Sequence, residues 1–391
     1  MAVYLNNAAT TWPKPECVPE AMSMFITQGG ANSSRGTSSK RDMSTMNLIL
    51  DCRMKLAEFF GGYDNLNPLF VTFTMNITEA INVVLHGFLK PGMRVLTSSM
   101  EHNAVMRPLR ALESKGVNLD ILYADPLGLL HPEDLISKLS ESRYDLAIFS
   151  HASNVSGTLQ PINELAEICR DHKLPLVLDT AQTAGLIKLN ASELGLAALC
   201  FTGHKGLMGP QGTGGIIWEP EFASQVEPFI TGGTGSYSHL EVQPEDMPDK
   251  FESGTPNLPG IAGLNAALDW LTETGINNIA NKEYESDSYF LEKLKTLDER
   301  IILSGMQDMN KRVSVFALNV EGLDNGILAD ELSIAGFETR PGLHCAPIAH
   351  KTLNTFPQGA LRVSPGYFTT HEEIDSFIEA LREIINQPCT R

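Results

Sequence analysis

The chain has 391 residues, enough for a large core and two lobes. With 42% hydrophobic and 19% charged residues it has an ordinary globular composition, which argues against long disorder. The net charge of −18, without a lysine or arginine cluster, speaks against nucleic acid as a partner and fits a role in solubility.

The N-terminus, MAVYLNNAATTWPKP, has no basic stretch leading into an apolar run, and no run of about eighteen apolar residues occurs. Neither a signal peptide nor a membrane span is expected. Six cysteines, at 17, 52, 169, 200, 345 and 389, form no CxxC pair and no disulfide framework. A reducing compartment, the cytoplasm, is expected.

From residue 68 to 220 short apolar runs alternate with amphipathic segments. Strands are expected at 69–73, 93–99, 117–124, 145–150, 175–179, 197–202 and 214–218, with helices between most of them, such as 103–115 and 161–172. This succession predicts an α/β fold with a mostly parallel central sheet flanked by helices. In such sheets ligands bind beyond the carboxyl ends of the strands. Ser150, His151, Asp179 and the run from Thr202 to Lys205 all fall at such ends.

A loop-rich stretch at 231–260 follows, with GGTGS and several prolines. Helices at 259–277 and 279–297, a strand at 312–320, a helix near 325–335, a strand at 360–364 and a helix at 371–386 predict a smaller α+β C-terminal lobe. The expected division is a large domain over 15–260 and a small one over 261–391, joined by segment 1–14. There is no internal repeat and no low-complexity tract.

Lys205 is the most informative residue. It follows an apolar strand in FTGHKGLMGPQGTGG (201–215), so its amine enters a cleft and can form a Schiff base with a carbonyl cofactor. Asp179 closes the strand of PLVLDTAQ and can hold the pyridinium nitrogen of pyridoxal phosphate (PLP). Asn76 to Glu79 follow a strand and open a helix, which serves either as a simple cap or as a phosphate site. The glycines at 206–215 lack a P-loop ending, and no strand precedes GxGxxG, so ATP and dinucleotide readings are weak.

Other candidates keep more than one reading each. His102 can stack on a cofactor ring or be structural. Asn154 can donate to a phenolate or carboxylate, or form an ordinary turn. Gln182 can reach the cofactor edge or make a helix-start hydrogen bond. Arg362, inside an apolar strand pattern, needs either an internal salt bridge or a substrate carboxylate. Cys345, in TRPGLHCAPIAH (339–350), is inert filler, a loop thiolate favoured by Arg340 and His344, or a metal ligand with His344 and His350; the missing fourth ligand argues against a metal.

In order along nearly the whole chain, YLNNAATT (4–11), NSSRGTSS (32–39), TMNITEAIN (74–82), MEHNA (100–104), SHASNVSGT (150–158), LDTAQ (178–182), FTGHKGLMGPQGTGG, FESGTPN (251–257), RPGLHCAP and LRVS resemble the class V aminotransferase family of fold-type I PLP enzymes. The likeness is to the group II cysteine desulfurase and selenocysteine lyase branch.

The resemblance implies that Lys205 carries PLP, Asp179 keeps the ring nitrogen protonated, Gln182 contacts the phenolic oxygen and His102 stacks on the ring. It assigns Ile77, Thr78, Thr202 and His204 to the phosphate, and Thr255 to the phosphate of a neighbouring subunit in a homodimer. Asn154 and Arg362, with Arg35, would hold the substrate carboxylate, and Cys345 would accept sulfur. No metal is implied.

The chain departs from the family pattern at Asn7, often aspartate, at Ser34 beside Arg35, often histidine, and at Met75 to Thr78, often Arg-Gly-Thr-Thr. The implied reaction releases alanine from L-cysteine, or acts on L-selenocysteine. It leaves a persulfide on Cys345 for a thiol acceptor, with a compact cysteine loop that an acceptor protein must approach. The rivals are another class V aminotransferase or lyase reaction, and a PLP-binding partner protein without turnover.

Overall fold

The computed structural model describes residues 2–32 and 39–387. Its strands are β1 (Val3–Tyr4), β2 (Val71–Thr74), β3 (Arg94–Ser98), β4 (Asn118–Leu122), β5 (Leu146–Ser150), β6 (Leu176–Asp179), β7 (Ala198–Thr202), β8 (Gly214–Trp218), β9 (Ile301–Ser304), β10 (Phe316–Val320), β11 (Phe337–Glu338), β12 (Arg340–Gly342) and β13 (Ala360–Val363).

The large sheet has seven strands in the order β2-β8-β7-β6-β5-β3-β4. Pairs from β4 through β7 are parallel, whereas β8 runs antiparallel to both neighbours. The central strands read as unbroken apolar runs because helices cover both faces. Alternation along the pleat then assigns each side chain to a layer. Ala147 and Phe149 of β5 join one core, with Leu178, Phe201 and Leu264. Leu146 and Ile148 join the other, with Val177, Ile216 and Trp218.

Two expected strands are shorter than their apolar runs. Leu69 and Phe70 lie in the 3-10 turn Pro68–Phe70, where the Asn67 side chain accepts the Leu69 amide at 3.1 Å. Residues 312–315 instead cross to the large sheet's lobe, where Val313 donates to the Gly157 carbonyl at 2.9 Å. The buried Arg312 guanidinium donates to the carbonyls of Met306, Ser156 and Val315.

The second sheet is antiparallel, in the order β12-β13-β10-β9. Its core joins Phe316, Leu318, Leu361 and Val363 to Phe290, Phe377 and Leu381 of the helices Ile276–Lys295 and His371–Asn386. The helix Leu258–Thr274 buries Ile261, Leu264, Leu268 and Leu271 in the core of the large sheet instead.

The N-terminal segment ties the two layers together. β1 pairs in parallel with β11, and the Asn7 amide side chain and the Ala8 amide bond Ser364. A few residues on, Thr10, Thr11 and Lys14 all donate to the carbonyl of His204. Among the described residues, no helix is long and apolar enough to cross a membrane.

Candidate active site

Register brings the strand ends together. Ser150 pairs with Asp179 across β5 and β6, and Asp179 with Cys200 across β6 and β7, so the turn after Thr202 begins beside the carboxylate. Asp179 is buried, and one oxygen accepts the Ala181 amide at 2.8 Å. Its other oxygen has no partner among the described residues. Burial raises its pKa, with the Ala181 amide and the Lys205 charge acting against this.

Lys205 is half-buried, and its amine is pulled down to about 8 by burial first and then by the Arg362 charge, against the attraction of Asp179. Its peptide is fixed by the donors on the His204 carbonyl, Lys14 Nζ at 2.8 Å and the Thr11 amide at 3.1 Å among them.

His102 caps the helix Asn103–Glu113, its Nδ1 accepting the Ala104 amide at 3.0 Å. The neutral ring therefore carries its proton on Nε2. Burial and the nearby cations Lys205, Arg340 and Arg362 hold it down to about 4. Gln182 donates to the Ala8 carbonyl at 3.1 Å, which joins the N-terminal segment to the cleft.

At the helix Ile77–Phe88 the Asn76 side chain accepts the Glu79 amide at 3.0 Å, while the Glu79 carboxylate accepts the Met75 amide at 2.6 Å. The capping is thus reciprocal but shifted back by one residue. The amides of Ile77 and Thr78 have no acceptor among the described residues and stay free for an anion. Gly214 makes room for this end, since a Cβ there would lie 2.9 Å from the Asn76 backbone. Thr202 is buried and donates only a long 3.4 Å bond to the Thr213 carbonyl, and His204 Nδ1 is buried without a partner.

Thr255 lines a groove of about 330 Å³ together with Met46, Leu50, Phe73 and Ile230, and with Met75 and Glu79 from the same helix end. Ser34, Arg35 and Cys389 fall outside the described residues.

On the second sheet Arg362 is 2% exposed. Its Nη1 donates to the Asn154 carbonyl and its Nη2 to Asn6 Oδ1, both at 3.0 Å, and its Nε is buried without a partner. No acidic side chain of the described residues pairs with it, which removes the internal salt bridge as its explanation. The Asn154 side chain donates to the His344 carbonyl at 2.7 Å and so supports the cysteine loop. Arg340, which the sequence offered only as a neighbour of the thiol, stands directly across the ladder from Arg362. Its charge reaches Lys205 and His102. Only strand pairing, invisible in the sequence, reveals that position.

Cys345 is exposed and its carbonyl accepts the Asn103 amide at 2.7 Å. His344 and Cys345 both take left-handed backbone, with φ of 48° and 57°. That costs about 1–2 kcal/mol per residue for side-chain-bearing positions. His344 Nδ1 and His350 Nε2 are 3.2 Å apart, at hydrogen-bond spacing.

Buried Glu101 and half-buried Lys14 carried no sequence signal. Glu101 accepts Ser98, the Ser150 amide and the Ser150 hydroxyl, and burial holds it up to about 7. The Lys14 amine is pushed by burial down to about 7.

A lysine amine, an opposing buried carboxylate, and an anion-ready helix end at the rim of a mainly parallel sheet define a PLP-type site on a fold-type I scaffold. The aminotransferase class-V family model matches residues 3–377, and the chain belongs to this family. It is 31% identical to a probable cysteine desulfurase of Methanothermobacter thermautotrophicus over 98% of this chain and 94% of that protein. It is also 31% identical to one from Halalkalibacterium halodurans, over 97% and 92%.

Among solved structures, a cysteine desulfurase from Thermococcus onnurineus superposes with a TM-score of 0.90 at 28% identity, covering 98% of this chain and 94% of that one. One from Escherichia coli gives 0.85 at 26% identity, covering 98% and 94%.

The family depends on PLP, and the residues present fit it. The unpaired Asp179 oxygen suits the ring nitrogen, Lys205 the aldehyde, and the free amides of Ile77 and Thr78 the phosphate.

Proposed function

We infer that this protein is a PLP-dependent cysteine desulfurase that converts L-cysteine to L-alanine and carries the sulfur on Cys345. The observation that supports this reading most strongly is the exposed Cys345, its carbonyl held by the Asn103 amide next to His102 and its loop tied to Asn154. An inert cysteine would be packed away, as Cys52, Cys169 and Cys200 are.

PLP supplies the electron sink that makes the bonds at the substrate α-carbon labile. The chain's residues do the rest. Arg362 takes the substrate carboxylate through the Nε that lacks a protein partner. Lys205 Nζ, with its lowered pKa, shuttles the α-proton near neutrality. Asp179 holds a proton on the ring nitrogen, and His102 covers the ring face.

The Cys345 thiolate attacks the substrate sulfur, and the carbon–sulfur bond breaks with its electron pair left on carbon. Carbon takes up protons to become the alanine methyl group, and Cys345 keeps the sulfur as a persulfide. A thiol acceptor then removes it by exchange-type attack.

We also propose a homodimer in which Thr255, from the 330 Å³ groove, reaches the partner's phosphate. The groove's apolar wall supports this, since Leu50 and Met75 are 44% and 49% exposed in the single chain. We further propose that the chain passes between the two lobes after the helix Leu258–Thr274, near residue 275 and not at the expected 260, because that helix packs on the large sheet, and that a sulfur acceptor docks over Cys345.

The test is mass spectrometry of Cys345 after exposure to L-cysteine, together with alanine release. One added sulfur atom is expected on the wild-type peptide. Cys345→Ser should keep the cofactor absorption and lose both persulfide and sulfur transfer. A Cys345→Ser enzyme that still transferred sulfur, or a wild type that bound PLP and released no alanine, would refute the reading.

A further inference from the structure

Behind Cys345 runs a chain of side-chain hydrogen bonds that the reaction above does not use. His344 Nε2 is 2.9 Å from the Arg340 carbonyl, His344 Nδ1 is 3.2 Å from His350 Nε2, and His350 Nδ1 is 2.7 Å from the Thr355 hydroxyl. Both rings are buried, at 4% and 0% exposure. Burial and the neighbouring arginines keep His344 neutral, and burial does the same for His350.

The direction of the chain follows from its end. A carbonyl can only accept, so His344 Nε2 carries the proton and its Nδ1 must accept. His350 then donates through Nε2 and accepts through Nδ1 from Thr355. The Thr355 hydroxyl has one other acceptor in reach, the His350 carbonyl at 3.4 Å, much the longer of the two. One arrangement of protons thus gives every member of the chain a partner.

The same residues are clamped from outside and below. The two carbonyls flanking the reactive side chain, of His344 and Cys345, accept from Asn154 Nδ2 and the Asn103 amide, both at 2.7 Å. Ala346, Ala349 and Leu353, in and around the short helix Pro347–Thr352, pack on Met100 and Val155 of the large lobe. The left-handed pair at His344 and Cys345 needs such support, because an unsupported chain would relax out of it.

We propose that His350 is a positioning residue for the reaction. Through His344 it locks the left-handed backbone that presents the Cys345 sulfur, so the nucleophile works from a fixed pedestal. The proposal rests on Cys345 being the sulfur-accepting nucleophile, as inferred above. Its specific claim concerns the donor and acceptor pair of one imidazole, which glutamine reproduces and leucine does not.

The test compares His350→Leu with His350→Gln in the holoenzyme. In His350→Leu, kcat for alanine release should fall about tenfold while KM for cysteine stays within about twofold, since substrate binding belongs to Arg362. The cofactor absorption should not change. Iodoacetamide should label Cys345 at least about threefold faster, as read from the Cys345 peptide, because the freed loop opens the thiol on more sides. His350→Gln should return both rates to within about twofold of the wild type.

Unchanged labelling and kcat in His350→Leu would overturn the proposal, and so would a glutamine variant no better than the leucine one. Should His350→Leu not fold, Thr355→Val removes only the terminal donor and should shift the same readouts less, in the same direction; no shift would count against the relay. If the wild type released no alanine, the desulfurase reading would fall, and the labelling rates would still judge the relay.

Discussion

The Lys205 cleft and the Cys345 loop meet at one site but are built by opposite means. The cleft is made of strand ends. Ser150, Asp179 and Thr202 finish adjacent strands, so register alone sets their spacing, and the whole rim rests on two apolar layers. The loop has no such frame. It holds its thiol in the open on two left-handed residues, and its order comes from individual hydrogen bonds to Asn103, Asn154, Arg340 and His350, with a small apolar footing under Ala346 and Ala349. Binding a cofactor calls for rigid burial, whereas passing sulfur to an acceptor calls for exposure. The molecule separates these needs by drawing the two parts from different sheets.

That separation can be broken by mutation. Lys205→Ala should give the largest effect, a loss of about four orders of magnitude in alanine formation, the upper range for removing a positioned proton-transfer group. Persulfide formation at Cys345 should vanish with it, although iodoacetamide labelling of Cys345 should not change, because the loop keeps its own supports. A loss of labelling would show that the two regions are not independent.

Asp179→Asn should come next. Alanine formation should drop by about 10²–10³-fold, as for removal of one preorganised electrostatic partner. The cofactor absorption band should shift, and Cys345 labelling should again be unaffected.

The pH dependence sharpens the comparison from the cleft side. Only a neutral Lys205 amine can capture PLP, and its pKa is lowered to about 8. Each pH unit below that value leaves about tenfold less neutral amine. Loading of the apoenzyme, followed by absorbance, should therefore rise about tenfold per unit up to pH ~8 and flatten above it. Continued growth in steps of that size well past pH 9 would mean that burial and Arg362 do not depress this amine.

The cleft was largely legible in the sequence. Apolar runs in a βαβ succession gave the mostly parallel sheet, and Asp179 and Lys205 could be placed because active groups collect at carboxyl strand ends. The Asn76 cap was legible too, since capping is local. The missed features are long-range. Arg340 gains its place opposite Arg362 only through the ladder between β12 and β13. The antiparallel course of β8 is set by its partners β2 and β7, because GGIIW reads the same in either direction. The run 312–320 shortened because Arg312 turned to the carbonyls of Met306, Val315 and, on the large lobe, Ser156.

The order of motifs along the chain determined the family and the cofactor, and it singled out the amine, the acid and the thiol that the proposed function uses, since each depends on residue type and local pattern. Tertiary structure alone decided that Arg362 has no acidic partner among the described residues, that Asn154 serves the cysteine loop, and that two histidines six positions apart join into one relay. The physical reason is that hydrogen bonding and burial depend on which atoms meet. For these residues the chain brings together segments that no local pattern links.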